Sequence, residues 1–202
     1  ITYPVKMYHS AHGPVLKDNN KAYALRFVGM NDVNHSTAWL KMNKSKNIDE
    51  WLDALRMEQL ASLNLVYADK DDNIFFVHNA KSPVRDPNYN WKQVVPGNKS
   101  ELIWTDFHPF ESVPQILNPS SGYIFSTNQN PFFVTAKEDN LSLSNFNPTM
   151  GFQTRTTNRA YRAYELLDAD KSISFSELDK YKHDNKFSYN SCLLYTSDAA
   201  DE

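Results

Sequence analysis

The strongest constraint on the fold is a pair of apolar segments joined by a short polar turn. Residues 63–79, LNLVYADKDDNIFFVHN, place β-branched and aromatic side chains on both sides of the polar turn 69–73. This pattern is typical of a β-hairpin. Residues 5–16 and 22–30 are further strand candidates, and Gly13-Pro14 interrupts the first of them. The sequence therefore predicts several short strands.

Three other segments carry helical patterns. In residues 46–61, apolar side chains fall near one face of a helix, and Asn47 precedes the first turn as a cap. Residues 158–169, NRAYRAYELLDA, predict a second helix. Residues 174–182 predict a third, because Ser174 is followed three residues later by a Glu, as in a capping box. The sequence therefore predicts helices as well as short strands.

Composition narrows the class of protein. Hydrophobic residues make up 41% of the chain and aromatic residues 13%, which is typical of a globular fold. The net charge of −3 gives no indication of nucleic-acid binding. No apolar run approaches the ~20 residues that a membrane span requires. Cys192 is the only cysteine, so residues 1–191 can form neither a disulfide nor a thiolate metal site.

The two ends of the chain bear on which residues belong to the fold. Residue 1 is Ile and no signal segment follows it, so we expect the chain to begin inside a longer reading frame. From Cys192 onward the sequence resembles an in-frame translation of a sequencing adapter; the alternative is a natural acidic tail. We therefore expect residues 1–191 to be the native part, cut at both ends, and residues 192–202 to lie outside the fold.

Residues 168–179, DADKSISFSELD, partly match a calcium-binding loop. Carboxylate or hydroxyl side chains occupy its first three ligand positions. Ile173 replaces the glycine that the turn requires, and Asp179 replaces the bidentate Glu. The capping box explains the same residues without a metal.

The segment with the clearest chemical meaning is NPSSGYIFSTNQNPF, residues 118–132. A Pro-Ser-Ser-Gly turn precedes a short apolar run, for which we expect a strand at residues 122–127, and then a cluster of side-chain amides. Asn128 at the end of this strand is a candidate donor to a developing negative charge. The alternative role is a structural hydrogen bond at a strand end.

Six segments occur in a fixed order along the chain: HGPVL, AWLKMNKSKNIDEW, NLVYADKDDNIFFV, the PG…W…PF loop, NPSSGYI and NRAYRAYELL. In this order they resemble the middle of the catalytic β-chain of penicillin acylase-type amidases, which are N-terminal-nucleophile hydrolases. Members include acylases of penicillins, acyl-homoserine lactones and aculeacin-type lipopeptides. The resemblance implies an α+β fold, as a fragment of the family's αββα sandwich.

The resemblance implies roles for individual residues. In the family, a Ser exposed as the new N-terminus of the β-chain attacks the amide, with its own α-amino group as base. The matching oxyanion-hole side chain is Asn128, and the matching Arg near the substrate and the terminal amine is Arg159. Trp39 and Leu63 match positions that line the acyl pocket. Asp139 falls where some members have a calcium ligand; no cofactor is otherwise required.

The resemblance also implies partners and location. We expect a small acyl-amide substrate, an α-chain from the same precursor as partner, and a periplasmic or secreted enzyme. Ile1 cannot be the nucleophile because it lacks a hydroxyl, so we expect the fragment alone to be inactive. The alternatives are a calcium-binding module on residues 168–179 and a non-catalytic, aromatic-rich ligand-binding module presenting Trp91, Trp104 and Phe110. A Ser after a cleavable upstream spacer would favour the amidase.

Overall fold

The computed structural model describes residues 6–78 and 81–190, which form short strands and four α-helices. The strands are β1 (Tyr8–Ser10), β2 (Gly13–Asp18), β3 (Lys21–Ala24), β4 (Asn64–Ala68), β5 (Ile74–His78), β6 (Ser82–Pro83), β7 (Phe107–His108) and β8 (Gln115–Leu117). The helices are α1 (His35–Lys44), α2 (Ile48–Leu55), α3 (Asn158–Ala169) and α4 (Phe175–Lys182). Residues 192–202, for which we expect no part in the fold, are outside the described residues.

The chain divides into two compact units, each built from three segments. The first unit comprises Ile1–Leu63, Asn79–Val113 and Asn147–Gly151. The second unit comprises Asn64–His78, Pro114–Phe146 and Phe152–Glu202.

An antiparallel sheet and a helix pair form the first unit. β2 pairs with both β1 and β3. Gly13, the glycine of the HGPVL segment, begins β2 with φ +138°, and an added Cβ would lie 2.2 Å from the carbonyl oxygen of Leu25. Only glycine fits there. The strand break predicted at Gly13-Pro14 lies earlier in the structure, because both residues pair within β2 and residues 11–12 form the turn between β1 and β2. The two-stranded pair of β6 and β7 belongs to the same unit.

The predicted β-hairpin is confirmed and forms the centre of the second unit. β5 pairs with β4 on one side and with β8 on the other, both antiparallel. Phe76 and Val77 are fully buried because β5 is the middle strand. Ile116 and Val134 pack with Phe76 in one apolar cluster. β8 coincides with none of the strands predicted from the sequence.

The helix predictions hold to different extents. α3 spans the predicted residues 158–169. α4 begins after Ser174, and the predicted capping box is present. The Ser174 side chain accepts the backbone N–H of Glu177, and the Glu177 carboxylate accepts the backbone N–H of Ser174. The predicted helix 46–61 is too long, because α2 ends at Leu55 and Glu58 adopts φ +53°, outside the helical region.

The strand predicted at residues 122–127 is wrong. These residues pair in no strand ladder; the backbone is irregular at residues 123–126 and bends at residues 122 and 127. The Phe125 N–H donates to the Val134 carbonyl at 2.9 Å, while the carbonyl of Tyr123 accepts the Thr135 hydroxyl at 2.7 Å. One backbone bond and the side chains of Thr135 and Gln129 therefore satisfy groups that a neighbouring strand would otherwise pair.

None of the helices in the described part of the chain combines the length and the apolar content of a membrane span.

Candidate active site

The NPSSG turn is fixed at both of its ends within the second unit. Asn118 lies in the left-handed region, and its side chain accepts the Ile74 N–H at 2.8 Å and donates to Asn73 at 3.1 Å. The carboxylate of Asp139 accepts the Ser121 N–H at 2.7 Å and the Ser120 hydroxyl at 2.8 Å. The turn therefore presents the following residues from a rigid base.

The buried amide of Gln129 organises the loop that follows. Its side chain is 4% exposed, and its oxygen accepts the N–H of Thr127 at 2.6 Å. Its nitrogen donates to the carbonyls of Phe125 at 3.2 Å and Phe133 at 2.8 Å. Asn130 is also buried and donates to the Thr154 carbonyl at 3.0 Å. Both amides have structural roles because their donors and acceptors are used.

Asn128 differs from these two neighbours in exposure, backbone conformation and hydrogen bonding. It is exposed, and its backbone adopts φ +67°. Asn tolerates this left-handed conformation better than most residues, although it costs about 1–3 kcal/mol and is typical of functional sites. Its side-chain amide has no hydrogen-bond partner within residues 6–78 and 81–190. Its N–H donors are thus available to a ligand and are held on a fixed backbone.

Arg159 lies in the first turn of α3, next to a cleft of about 680 Å³ in the second unit. Ser126 and Thr127, the residues immediately before Asn128, line the same cleft, and Phe125 and Leu166 contribute apolar surface. Arg159 is exposed. A cation in the first turn of a helix opposes the macrodipole by about 0.3–1 kcal/mol, so helix stability does not explain this arginine.

A neighbouring arginine has a structural role. Arg162 contacts Asp184 through two hydrogen bonds of 2.8 and 2.9 Å, and it approaches Glu165 at 3.4 Å. The Arg162 guanidinium lowers the pKa of Asp184 to about 2. This pair fixes the segment after α4 against α3. The i, i+3 spacing of Arg162 and Glu165 could have indicated part of this network, but Asp184 gives no such signal.

Asp139, the predicted calcium ligand, is hydrogen-bonded within the second unit. Both carboxylate oxygens accept hydrogen bonds from the NPSSG turn, which lower the pKa of this group. No group of three acidic, His or Cys side chains that could hold a metal occurs within residues 6–78 and 81–190. The role of Asp139 as a calcium ligand therefore stays a prediction.

Trp39 and Leu63, the predicted pocket-lining residues, belong to the first unit. Trp39 on α1 is 42% exposed and Leu63 is 38% exposed. Both therefore have apolar surface available for contacts, and their assignment to an acyl pocket stays a prediction.

The aromatic ligand face proposed as an alternative is only partly present. Phe110 is 3% exposed and belongs to the core, so its assignment to a ligand face is wrong. Trp91 and Trp104 lie 6.2 Å apart between ring centroids, and both line a cleft of about 400 Å³ in the first unit. The Arg85 guanidinium lies 4.9 Å from the Trp104 ring and also donates to the carbonyl of Thr149 at 3.1 Å. This cluster therefore connects distant loop segments of the first unit.

Comparison with known proteins identifies the family of the chain. The sequence model of the family described as penicillin amidase matches residues 2–199, so the chain belongs to the penicillin amidase family. The chain is 33% identical over 129 residues to penicillin G acylase of Escherichia coli, an alignment that covers 62% of this chain and 15% of that protein. It is 30% identical over 121 residues to the penicillin acylase 2 proenzyme of Pseudomonas sp. (strain SE83), covering 58% of this chain and 16% of that protein.

A solved structure confirms the fold class. The thermostable penicillin G acylase from Alcaligenes faecalis in orthorhombic form superimposes with a TM-score of 0.68 and 24% identity, over 87% of this chain and 30% of that chain. The α+β prediction is therefore confirmed: the chain has the fold of part of an N-terminal-nucleophile hydrolase. It spans 15% and 16% of the curated relatives' length.

Proposed function

We propose that the complete protein hydrolyses a linear amide and releases an acyl group from a penicillin-like, acyl-homoserine-lactone-like or lipopeptide substrate. The nucleophile is the hydroxyl of an N-terminal Ser outside this chain. It attacks the carbonyl carbon while the α-amino group takes its proton and transfers it to the leaving amine. Water then hydrolyses the acyl ester. Membership of the penicillin amidase family supports this reaction class.

The observation that carries the proposal for this chain is the exposed, unpaired side-chain amide of Asn128 among the described residues. Its amide is exposed, has no partner among the described residues, and is attached to a backbone held at φ +67°. A donor that is oriented before the reaction stabilises the oxyanion without reorganisation. Asn128 donates its side-chain N–H to the tetrahedral oxygen, and a backbone N–H from outside the chain supplies the second donor.

Arg159 has the second role in this proposal. Its exposed guanidinium beside the cleft positions the substrate or the terminal amine. Trp39 and Leu63 contribute apolar surface to the acyl pocket. The name of the Pseudomonas relative, a proenzyme, supports a precursor that is processed into an α-chain and a β-chain. Periplasmic or secreted location belongs to the same proposal.

The test is steady-state kinetics of Asn128→Gly and Asn128→Ala in the complete protein. Glycine removes the amide and tolerates the left-handed backbone, whereas alanine removes the amide and adds backbone strain. We expect kcat to fall about 10²–10³-fold in both variants, equivalent to roughly 2.7–4 kcal/mol, with KM little changed.

Asn19→Ala is the matched control, because Asn19 is also an exposed asparagine in the left-handed region (φ +50°) at a β-turn of the first unit. It should keep wild-type kcat. Asn130→Ala should instead lower the melting temperature, because its buried amide holds the Thr154 carbonyl. Full kcat in Asn128→Gly would remove Asn128 from the reaction.

A further inference from the structure

A cross-strand pair of polar side chains lies at the end of the central hairpin. Asn64, the first residue of β4, is directly opposite His78, the last residue of β5. The Nδ1 of His78 bonds the Oδ1 of Asn64. Because the Asn64 Nδ2 donates to the Gln129 carbonyl at 3.0 Å, its Oδ1 is the acceptor toward the imidazole, so the His78 Nδ1 carries the proton.

The Asn64 amide contacts the residues on both sides of Asn128. Besides the Gln129 carbonyl, its Nδ2 approaches the Ser126 Oγ at 3.5 Å. The Ser126 Oγ in turn accepts the backbone N–H of Asn128 at 3.4 Å. A continuous series of contacts therefore runs from His78 through Asn64 to the backbone that carries the exposed amide.

We propose that His78 is a positioning residue for Asn128. Its Nδ1–H fixes the orientation of the Asn64 amide, and Asn64 then holds Ser126 and Gln129 on either side of Asn128. This holds the backbone of Asn128 in its left-handed conformation and so directs the side chain. The inference rests on the proposed role of Asn128 as an oxyanion donor.

The surroundings of His78 favour a fixed neutral ring. The imidazole packs edge-on against Phe152, with 5.7 Å between ring centroids. Its backbone N–H donates to the Pro114 carbonyl at 2.9 Å, which anchors the end of β5. A neutral imidazole has one N–H, and the contact with Asn64 uses it. No other part of the proposed mechanism uses this histidine.

The test compares His78→Leu with His78→Asn in the complete enzyme. The two side chains are similar in size, but only asparagine carries an N–H close to the position of the imidazole Nδ1. We expect His78→Leu to lower kcat about 10- to 100-fold with little change in KM, as for a displaced catalytic group. His78→Asn should restore most of kcat. Equal losses in both variants, or no loss in His78→Leu, would overturn the inference.

A double-substitution cycle separates this inference from the proposed function. If His78 acts through Asn128, adding His78→Leu to Asn128→Gly should cause no further loss of kcat. Independent, multiplicative losses would overturn the inference. A low kcat in Asn128→Gly beside a normal kcat in His78→Leu contradicts the positioning role alone, whereas a normal kcat in Asn128→Gly contradicts both proposals.

Nitrogen NMR of the unsubstituted 202-residue chain tests the same geometry without activity. At pH 7 the His78 ring should carry its proton on Nδ1. Protonation on Nε2 instead would break the contact with Asn64 as described and would overturn the inference, even if the substituted enzymes do not fold.

Discussion

Lowering the pH from 7 to 4 should destabilise the second unit through His78. Burial lowers the pKa of this imidazole from 6.5 to about 4 in the folded chain. The unfolded chain therefore binds a proton at His78 throughout the interval from pH 6.5 to pH 4, whereas the folded chain does not. The contribution of the neutral imidazole to the free energy of unfolding is fully present above pH 6.5 and is lost as the pH falls toward 4.

The size of the effect follows from the same two pKa values. Their difference, at about 1.4 kcal/mol for each pH unit, corresponds to a loss of about 3 kcal/mol. This is a large share of the ~5–15 kcal/mol by which domains are usually stable. Below pH 4 no further loss arises from His78. Asp184 also loses its contribution as the pH falls, because its pKa is depressed, but this loss lies between pH 3.8 and about 2.

The assay must report on the second unit alone. All four tryptophans belong to the first unit, so tryptophan fluorescence is unsuitable. Amide exchange of peptides from β5, corrected for the intrinsic pH dependence, gives the opening free energy at pH 7, 5.5 and 4. Wild-type chain should lose about 3 kcal/mol more than His78→Leu over this interval. Parallel curves for the two proteins would refute the reasoning.

Two further predictions concern the end of the described chain. Calorimetry of the 202-residue chain should detect no tight calcium binding at residues 168–179, because Ile173 occupies the position of the turn glycine. Calcium binding with a micromolar dissociation constant that disappears in Asp170→Asn would contradict this prediction. Asp184→Asn should lower the melting temperature, because it breaks the bidentate contact with Arg162. The control Asp179→Asn changes an exposed side chain 3.5 Å from His183 and should leave the melting temperature unchanged. Equal melting temperatures for the two variants would count against the structural role of Arg162.

The sequence by itself determined the parts of the fold that depend on neighbours in the chain. α3 and the capping box of α4 follow from residues within one or two turns. The hairpin of β4 and β5 follows from two apolar runs and a five-residue polar turn, in which the Asp69 carboxylate accepts the N–H groups of Asp71 and Asn73. The segments of the family resemblance also indicated Asn128 and Arg159 before any geometry was available.

Tertiary structure decided what depends on distant residues. β8 pairs with β5 although about forty residues separate them, and no local pattern encodes that partner. Residues 122–127 have strand-like composition, but Gln129 and Thr135 side chains take the backbone partners that a strand would need.

The functional site shows the same division. The letters S-T-N-Q-N at residues 126–130 do not distinguish a free amide from a buried one. Only the folded chain buries Gln129 and Asn130, leaves Asn128 exposed, and brings Asn64, which His78 contacts, to the Gln129 carbonyl. Within residues 126–130, burial and hydrogen bonding to distant parts of the chain, and not residue type, decide which asparagine is available for chemistry.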